Sequence, residues 1–493
     1  MNIKALICII ILIATIADPG CISKPDGSQV KDAHDQNVEN VDDVKGLWLG
    51  SLKFPGGMEL RILFNISTEP DGSINATMDS PDQGASGIPV ETVTYKDGKL
   101  ILEVKSIKGV FEGTLKEGGK TIEGEWKQAG SVFSLVLNQI KEAPDTRREQ
   151  DPVKPYPYAE EEVTYENNEA GIKLAGTLTF PESEGPFPAV ILITGSGPQN
   201  RNEEILGHRP FLVLSDYLTR QGIAVLRVDD RGIGGSTGNF SQATTEDFAG
   251  DVLAGVEYLK SRKEIDSSKI GLIGHSEGGI IAPLVAVKSP DVSFIVLMAG
   301  TGVTGEKIIL SQSELISRAE GANNETIARN EILTKNLFSV VKEEQNNTAA
   351  SEKLDRLIKT ELANMSEENK QYSDFSEANL EAQVQSLLSP WMRFFLIYDP
   401  KPTLMKVKCP VLAINGEKDL QVPPEENLRI IEEALKTGGN EDYTVQELPG
   451  LNHLFQKAQT GSPSEYAKIE ETISPDALKL IGDWISEHTR EEK

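Results

Sequence analysis

Residues 270–279 read IGLIGHSEGG and lead into IIAPLVAV: an apolar run, a Gly274-His275-Ser276-Glu277-Gly278 core, then the composition of a buried helix. A strand that turns at once into a helix around Gly-x-Ser-x-Gly forces its serine into a tight turn where bulky neighbours would clash. Ser276 is therefore the first candidate for a reactive atom. With 43 glycines in the chain the bare pattern can arise by composition alone. The flanking strand, helix and small residues make it informative.

A serine hydroxyl is a poor nucleophile at neutral pH, so such a turn is chemically useful only with a histidine to take its proton and a carboxylate to orient that histidine. The chain has five histidines. His34 lies in a polar N-terminal stretch, His208 precedes a predicted helix, His275 is in the turn itself, and His488 is near the end of the last helix. His453, in LPGLNHLF after the strand-like YTVQEL, is left as the base, and the order Ser, Asp, His is the one that suits this kind of turn. PVLAINGEKDLQVPP (410–424) places Asp419 on a loop after an apolar strand, with Glu417 and Glu425 as competitors for the acid. PAVILITGSGP (188–198) runs a strand into a Gly-rich loop whose amides can face a ligand. Oxyanion donors are expected from the amide of Glu277 and from this loop, with Ser196 first and Gly197 second.

Taken together, GSGPQNRNE (195–203), DDRGIGGSTG (229–238), GHSEGG (274–279), GEKDLQVPP (416–424) and GLNH (450–453) resemble the α/β-hydrolase superfamily, and within it the serine carboxylesterases with an extra N-terminal β domain. The resemblance covers roughly residues 155–490, with a weaker likeness over 46–140. It implies esterase activity with Ser276, Asp419 and His453 as the triad; a helical cap of limited length and the lack of a long apolar run suited to a lipid surface lead us to expect short-chain carboxylic esters, and no cofactor is expected.

Length and composition divide the chain of 493 residues into more than one domain. Residues 1–20 carry Lys4 and ALICIIILIATIA, too short for a comfortable membrane span and suited to a signal peptide, so export is expected. Cys21 follows Gly20 as an acylated cysteine does, although Asp18 and Pro19 fit that signal poorly. Lipid anchoring through Cys21, a cleaved soluble form and an uncleaved anchor are the three outcomes left open. Cys409 reads as a small core residue, and no CxxC or HExxH pattern supports a metal site. A net charge of −27 spread along the chain disfavours nucleic acid and anionic substrates, leaving neutral or cationic esters. Oligomeric state is not encoded legibly.

From 46 to 140 short alternating runs such as LWLGSLKF, KLILEVKS and SVFSLVLN are separated by turn signals, including Asp71-Gly72, Asp97-Gly98 and Ala129-Gly130. They predict a small antiparallel up-and-down barrel or curled sheet of about seven or eight strands, with Trp48 and Trp126 as core or rim aromatics or else a sugar-stacking platform. Residues 141–158 are charged and Pro-rich, a linker. From 159 to 490 strands alternate with helices, which predicts a mostly parallel sheet flanked by helices. The rhythm lapses at about 304–400, where helical periodicity predicts a cap over the serine, with SPWMRFFLIYDP (389–400) bordering the pocket. Asp230 and Arg231 are expected to brace their loop. Rival functions are a serine peptidase of the prolyl-oligopeptidase type, which needs a larger propeller than residues 46–140 can supply, and a non-catalytic binding protein on a hydrolase scaffold.

Overall fold

The computed structural model describes residues 37–38, 41–53, 59–68, 74–83, 85–128, 131–144, 147–363 and 377–490. The expected signal peptide, Cys21, His34 and the turns at Asp71-Gly72 and Ala129-Gly130 lie outside the described residues.

The N-terminal segment forms a ten-stranded sheet, more strands than the alternating runs predict. The short strand Ala85–Pro89 escapes a pattern reading because Gly87 and Pro89 interrupt it, and the two-residue strand Asn37–Val38 pairs in parallel beside Thr94 and Tyr95. Consecutive strands otherwise pair antiparallel, and Gly46–Lys53 also pairs with Ser131–Ile140, so first and last meet as in an up-and-down barrel. The seam lies between the edge strands Ala85–Pro89 and Asn37–Val38, where no ladder is formed among the described residues. Period-two alternation turns one face inward. Trp48 and Trp126 are fully buried there with Phe64 and Phe111, which excludes a solvent-facing stacking platform. Each indole N–H finds an acceptor, Val44 O at 2.7 Å and Gln128 Oε1 at 3.1 Å, as burial of that group requires.

The second sheet has eight strands: β1 (Tyr158–Asn167), β2 (Ile172–Pro181), β3 (Phe187–Ile193), β4 (Ala224–Val228), β5 (Ile265–His275), β6 (Val292–Met298), β7 (Val411–Gly416) and β8 (Tyr443–Leu448). Their order is β1-β2-β4-β3-β5-β6-β7-β8, antiparallel from β1 through the β2/β4 pair and parallel beyond it. Strands buried on both faces must be apolar throughout. Thus Val190 and Leu192 of β3 enter a core with α1 (Pro210–Arg220), while Ile191 and Ile193 enter the opposite core with α2 (Thr245–Lys260) and α3 (Gly278–Lys288). Chain order reverses at β4-β3-β5, and the loops that leave β3 and β5 diverge there to open a crevice at the strands' carboxyl ends.

Between β6 and β7 lie α4 (Gly305–Ala319), α5 (Asn324–Glu343), α6 (Asn347–Ala363), α7 (Glu377–Leu387), α8 (Pro390–Ile397) and α9 (Lys401–Leu404). Leu337, Phe338 and Val341 of α5 and Met392 and Phe395 of α8 join the core that contains Ile281 and Val285 of α3. Much of the cap's apolar surface therefore fixes it to the sheet. The chain ends with α10 (Pro424–Thr437) and α11 (Pro475–Thr489).

Candidate active site

Ser276 sits between the end of β5 and the start of α3 with φ at +53°, the left-handed region that a non-glycine residue enters only when its surroundings enforce it. The enforcement is visible on both sides. A Cβ at Gly274 would stand 2.0 Å from the carbonyl oxygen of Gly278, and one at Gly278 would stand 2.3 Å from that of Ile193. Only glycines allow strand, turn and helix to approach so closely. The Ser276 amide donates to Met298 O at 2.9 Å, and the side chain is partly exposed in the crevice.

Asp419 lies in the loop after β7 and is buried, its Oδ1 accepting the amides of Gln421 and Val422 at 2.8 Å each. Its other oxygen accepts from His453 Nδ1 at 2.8 Å, which leaves Nε2 as the ring's basic nitrogen. Glu417 and Glu425 are exposed; Glu417 is turned to the Gly450 amide, and Glu425 is in the first turn of α10. His453 occupies the loop after β8. Asn452, fully buried, shapes that loop by accepting the amides of Leu454 and Gln456. The imidazoles of His453 and His275 lie 4.8 Å apart, which puts the Asp419–His453 pair beside the residue preceding Ser276. Among the described residues no hydrogen bond engages the Ser276 hydroxyl, a separation common before a substrate tightens such a site.

The loop after β3 passes within contact of the turn, since a Cβ at Gly195 would lie 3.3 Å from that of Ser276. The amides of Ser196 and Glu277 have no acceptor among the described residues. Two residues outside the sequence-derived set hold this loop and the base together. Glu203 Oε1 accepts the Gly195 amide at 2.7 Å and lies 2.9 Å from His275 Nδ1, while His275 Nε2 donates to His453 O at 3.0 Å. Both ring nitrogens of His275 face acceptors, so both carry protons. Burial opposes that charge, but the Glu203 carboxylate outweighs it and raises the imidazole pKa above its ordinary value. Glu203 ends the GSGPQNRNE stretch, and its place there is the one sequence signal that could have marked it.

The Glu277 side chain turns beneath the cap, where Thr245 of α2 and Trp391 of α8 both donate to Oε1, at 2.7 and 2.8 Å. Trp391 stacks on Phe395, so the aromatic segment 389–400 does border the site. Burial pushes the Glu277 carboxyl up to about 7. Arg231 grips Asp251 with two hydrogen bonds, of 2.7 and 2.9 Å, and braces its loop; Asp230 accepts from Thr194 Oγ1 and the Gln199 amide. His208 and His488 are occupied elsewhere, His208 between Thr472 and Tyr466 O and His488 against Trp484.

The hydrolase family described as serine aminopeptidase, S33, matches residues 210–365, from α1 through the turn at Ser276 into the cap. The chain has the α/β-hydrolase fold. The esterase EstD of Thermotoga maritima is 25% identical to this hydrolase over 349 residues, covering 71% of each chain. Among solved structures, an esterase of Pyrococcus furiosus is 17% identical, with a TM-score of 0.41, covering 67% of this chain and 91% of its own. The α/β hydrolase GrgF of a Penicillium species is 16% identical, with a TM-score of 0.41, covering 67% of this chain and 99% of its own.

Proposed function

We propose that this hydrolase is a serine carboxylesterase that cleaves short-chain esters through an acyl-serine intermediate. The observation that carries the reading is the Asp419–His453 hydrogen bond set beside a serine held at positive φ. His453 Nε2 takes the Ser276 proton as Oγ attacks the ester carbonyl, Asp419 stabilises the imidazolium, and the amides of Ser196 and Glu277 receive the oxyanion. The imidazolium then protonates the leaving alkoxide. In the second half-reaction His453 takes a proton from water, and the hydroxide equivalent releases the acid and restores Ser276. The esterase among its relatives supports this chemistry. The N-terminal leader in the sequence supports an exported enzyme, held at the membrane if Cys21 is acylated.

The test is a panel of 4-nitrophenyl esters from acetate to hexadecanoate beside an aminoacyl anilide, run on wild type and Ser276→Ala. We expect turnover of acyl chains of roughly two to eight carbons, in keeping with a confined pocket. Ser276→Ala should lose about a thousandfold or more in kcat with its fold intact. Full turnover by that variant would overturn the assignment. Dominant cleavage of the anilide would move the enzyme to the aminopeptidase activity named by the matched family.

A further inference from the structure

One hydrogen bond joins the cap to the turn that carries Ser276. Glu277 lines the cavity beside the serine with Gly195, Gly197 and Ile281, and the residue is only 3% exposed. The carbonyl of the Ser276–Glu277 peptide accepts the Gly279 amide at 2.9 Å, and the Glu277 carbonyl accepts the amides of Ile280 and Ile281. The amide assigned to the oxyanion therefore moves with the first turn of α3. Glycines follow at 278 and 279, so Glu277 supplies the side chain that can tie this turn to its surroundings. It does so twice at one oxygen, to Thr245 Oγ1 at the start of α2 and to Trp391 Nε1 of α8.

The two ties differ in kind. Thr245 belongs to the body of the fold: it is fully buried, and the start of its helix is fixed by the capping box of Thr244 and Asp247. Trp391 belongs to the cap. Its ring stacks on Phe395 with centroids 4.9 Å apart, and a Cβ at Gly305 of α4 would stand 2.3 Å from Phe395 O. Two residues on, Arg393 donates to Val341 O and Glu344 O at the end of α5 and to Asn347 Oδ1 at the start of α6. Three other cap helices thus hold α8, and the indole is where their position reaches the turn of Ser276. Packing the cap on the sheet would need only an apolar contact here, whereas a buried carboxyl needs donors and is left with an unpaired acceptor when one goes. We propose that Trp391 is a positioning residue for the reaction: its indole N–H steadies Glu277, and through it the oxyanion amide, so that attack on the ester is fast only with α8 seated. Burial pushes the Glu277 carboxyl up to about 7 while both donors pull against that rise, so above pH 7 the bond is charge-assisted. The inference rests on Ser276 being the nucleophile of an esterase whose oxyanion meets the Glu277 amide.

The test is hydrolysis of 4-nitrophenyl butanoate at pH 8, with active enzyme counted by titration. Trp391→Phe keeps a ring over Phe395 and removes the donor; kcat should fall about tenfold, less than the hundredfold of a 1 Å misplacement, with KM within about twofold. Added to Glu277→Leu, the same change should cost nothing more, since the partner is already gone. Butylboronic acid, whose tetrahedral adduct puts a negative oxygen where the oxyanion forms, should inhibit Trp391→Phe about tenfold more weakly than wild type, while planar butanamide binds both alike. Glu277→Gln, which keeps an oxygen for both donors, should lose much less than Glu277→Leu, a comparison that leaves the tryptophan in place should Trp391→Phe not fold. Wild-type kcat and boronate inhibition in Trp391→Phe, losses that multiply in the double variant, or equal losses in the two Glu277 variants would overturn the inference and leave the esterase standing. No turnover of the butanoate ester by wild type, or full turnover by Ser276→Ala, would instead remove the esterase reading itself.

Discussion

At Glu277 backbone and side chain face different demands: the proposed mechanism needs the amide for the oxyanion, while the carboxyl is buried under Trp391 with Thr245 as its other donor. Asp230, Asp251 and Arg231 share the adjoining cavity. Burial lifts this carboxyl from 4.5 to about 7, so below pH 4.5 folded and unfolded chains both hold the proton, and between 4.5 and 7 only the folded chain does. Stability is therefore lost as pH rises through that window, by about 3 kcal/mol for a difference of roughly 2.5 at 1.36 kcal/mol per pH unit. Denaturant unfolding should show the advantage of Glu277→Gln over wild type growing by about that amount from pH 4.5 to 8; an advantage that stays flat would mean the carboxyl titrates normally. At this scale the sequence is legible where chemistry restricts residue type. Ser276, Asp419 and His453 stand out because few residues can do the work proposed for them, whereas the partnership of Glu203 with His275 spans 72 positions and leaves no local pattern.

Loops after three different strands must arrive in register for the site to exist, and one chain of hydrogen bonds links them, from the Gly195 amide through Glu203 and His275 to His453 O. In the proposed mechanism none of these groups reacts with the ester; their contribution is placement. His275→Ala should lower kcat by about ten- to a hundredfold, the penalty of a misplacement near 1 Å, with KM little changed. Glu203→Gln, which still offers an oxygen to Gly195, should lose less. Steady-state kinetics with active-site titration would separate the two, and a His275→Ala enzyme with wild-type kcat would show that the loops hold themselves. Elements with a strong period were legible: β3, β5 and β6 as continuous apolar runs, and α3 as a helix buried all round. The strand Ala85–Pro89 was not, since its place comes from pairing with Ile74–Ser80 and not from its own composition.

Across the whole molecule the segment read as a linker divides in function. Arg148 donates to Glu470, Ala467 O and Leu206 O, Gln150 exchanges hydrogen bonds with Ile473, and Asp151 pairs with Arg209 at 2.6 Å. Composition identifies such a stretch as polar and Pro-rich but cannot say which of its charges have partners. Deleting residues 1–144 should leave hydrolysis of a small ester within about twofold of wild type, because every group assigned to the chemistry lies beyond it. Extending the deletion through Asp151 should lower thermal stability further, by about 1–3 kcal/mol for the hydrogen-bonded charges removed. Equal melting temperatures for the two truncations would show the anchors to be idle, and a folded but inert product of the shorter deletion would give the N-terminal sheet a part in catalysis.

The place where the linker is pinned also sets a path for mechanical load. Its partners at 467–473 adjoin Ser474, whose amide donates to Phe455 O two residues past the base, and Glu471 accepts the amide of Lys457. A molecule held by its N-terminal end, in an optical trap or on a surface under flow, would pass part of the tension from 148–151 into that segment and so toward the loop of His453, and part to Leu206 and Arg209 ahead of α1.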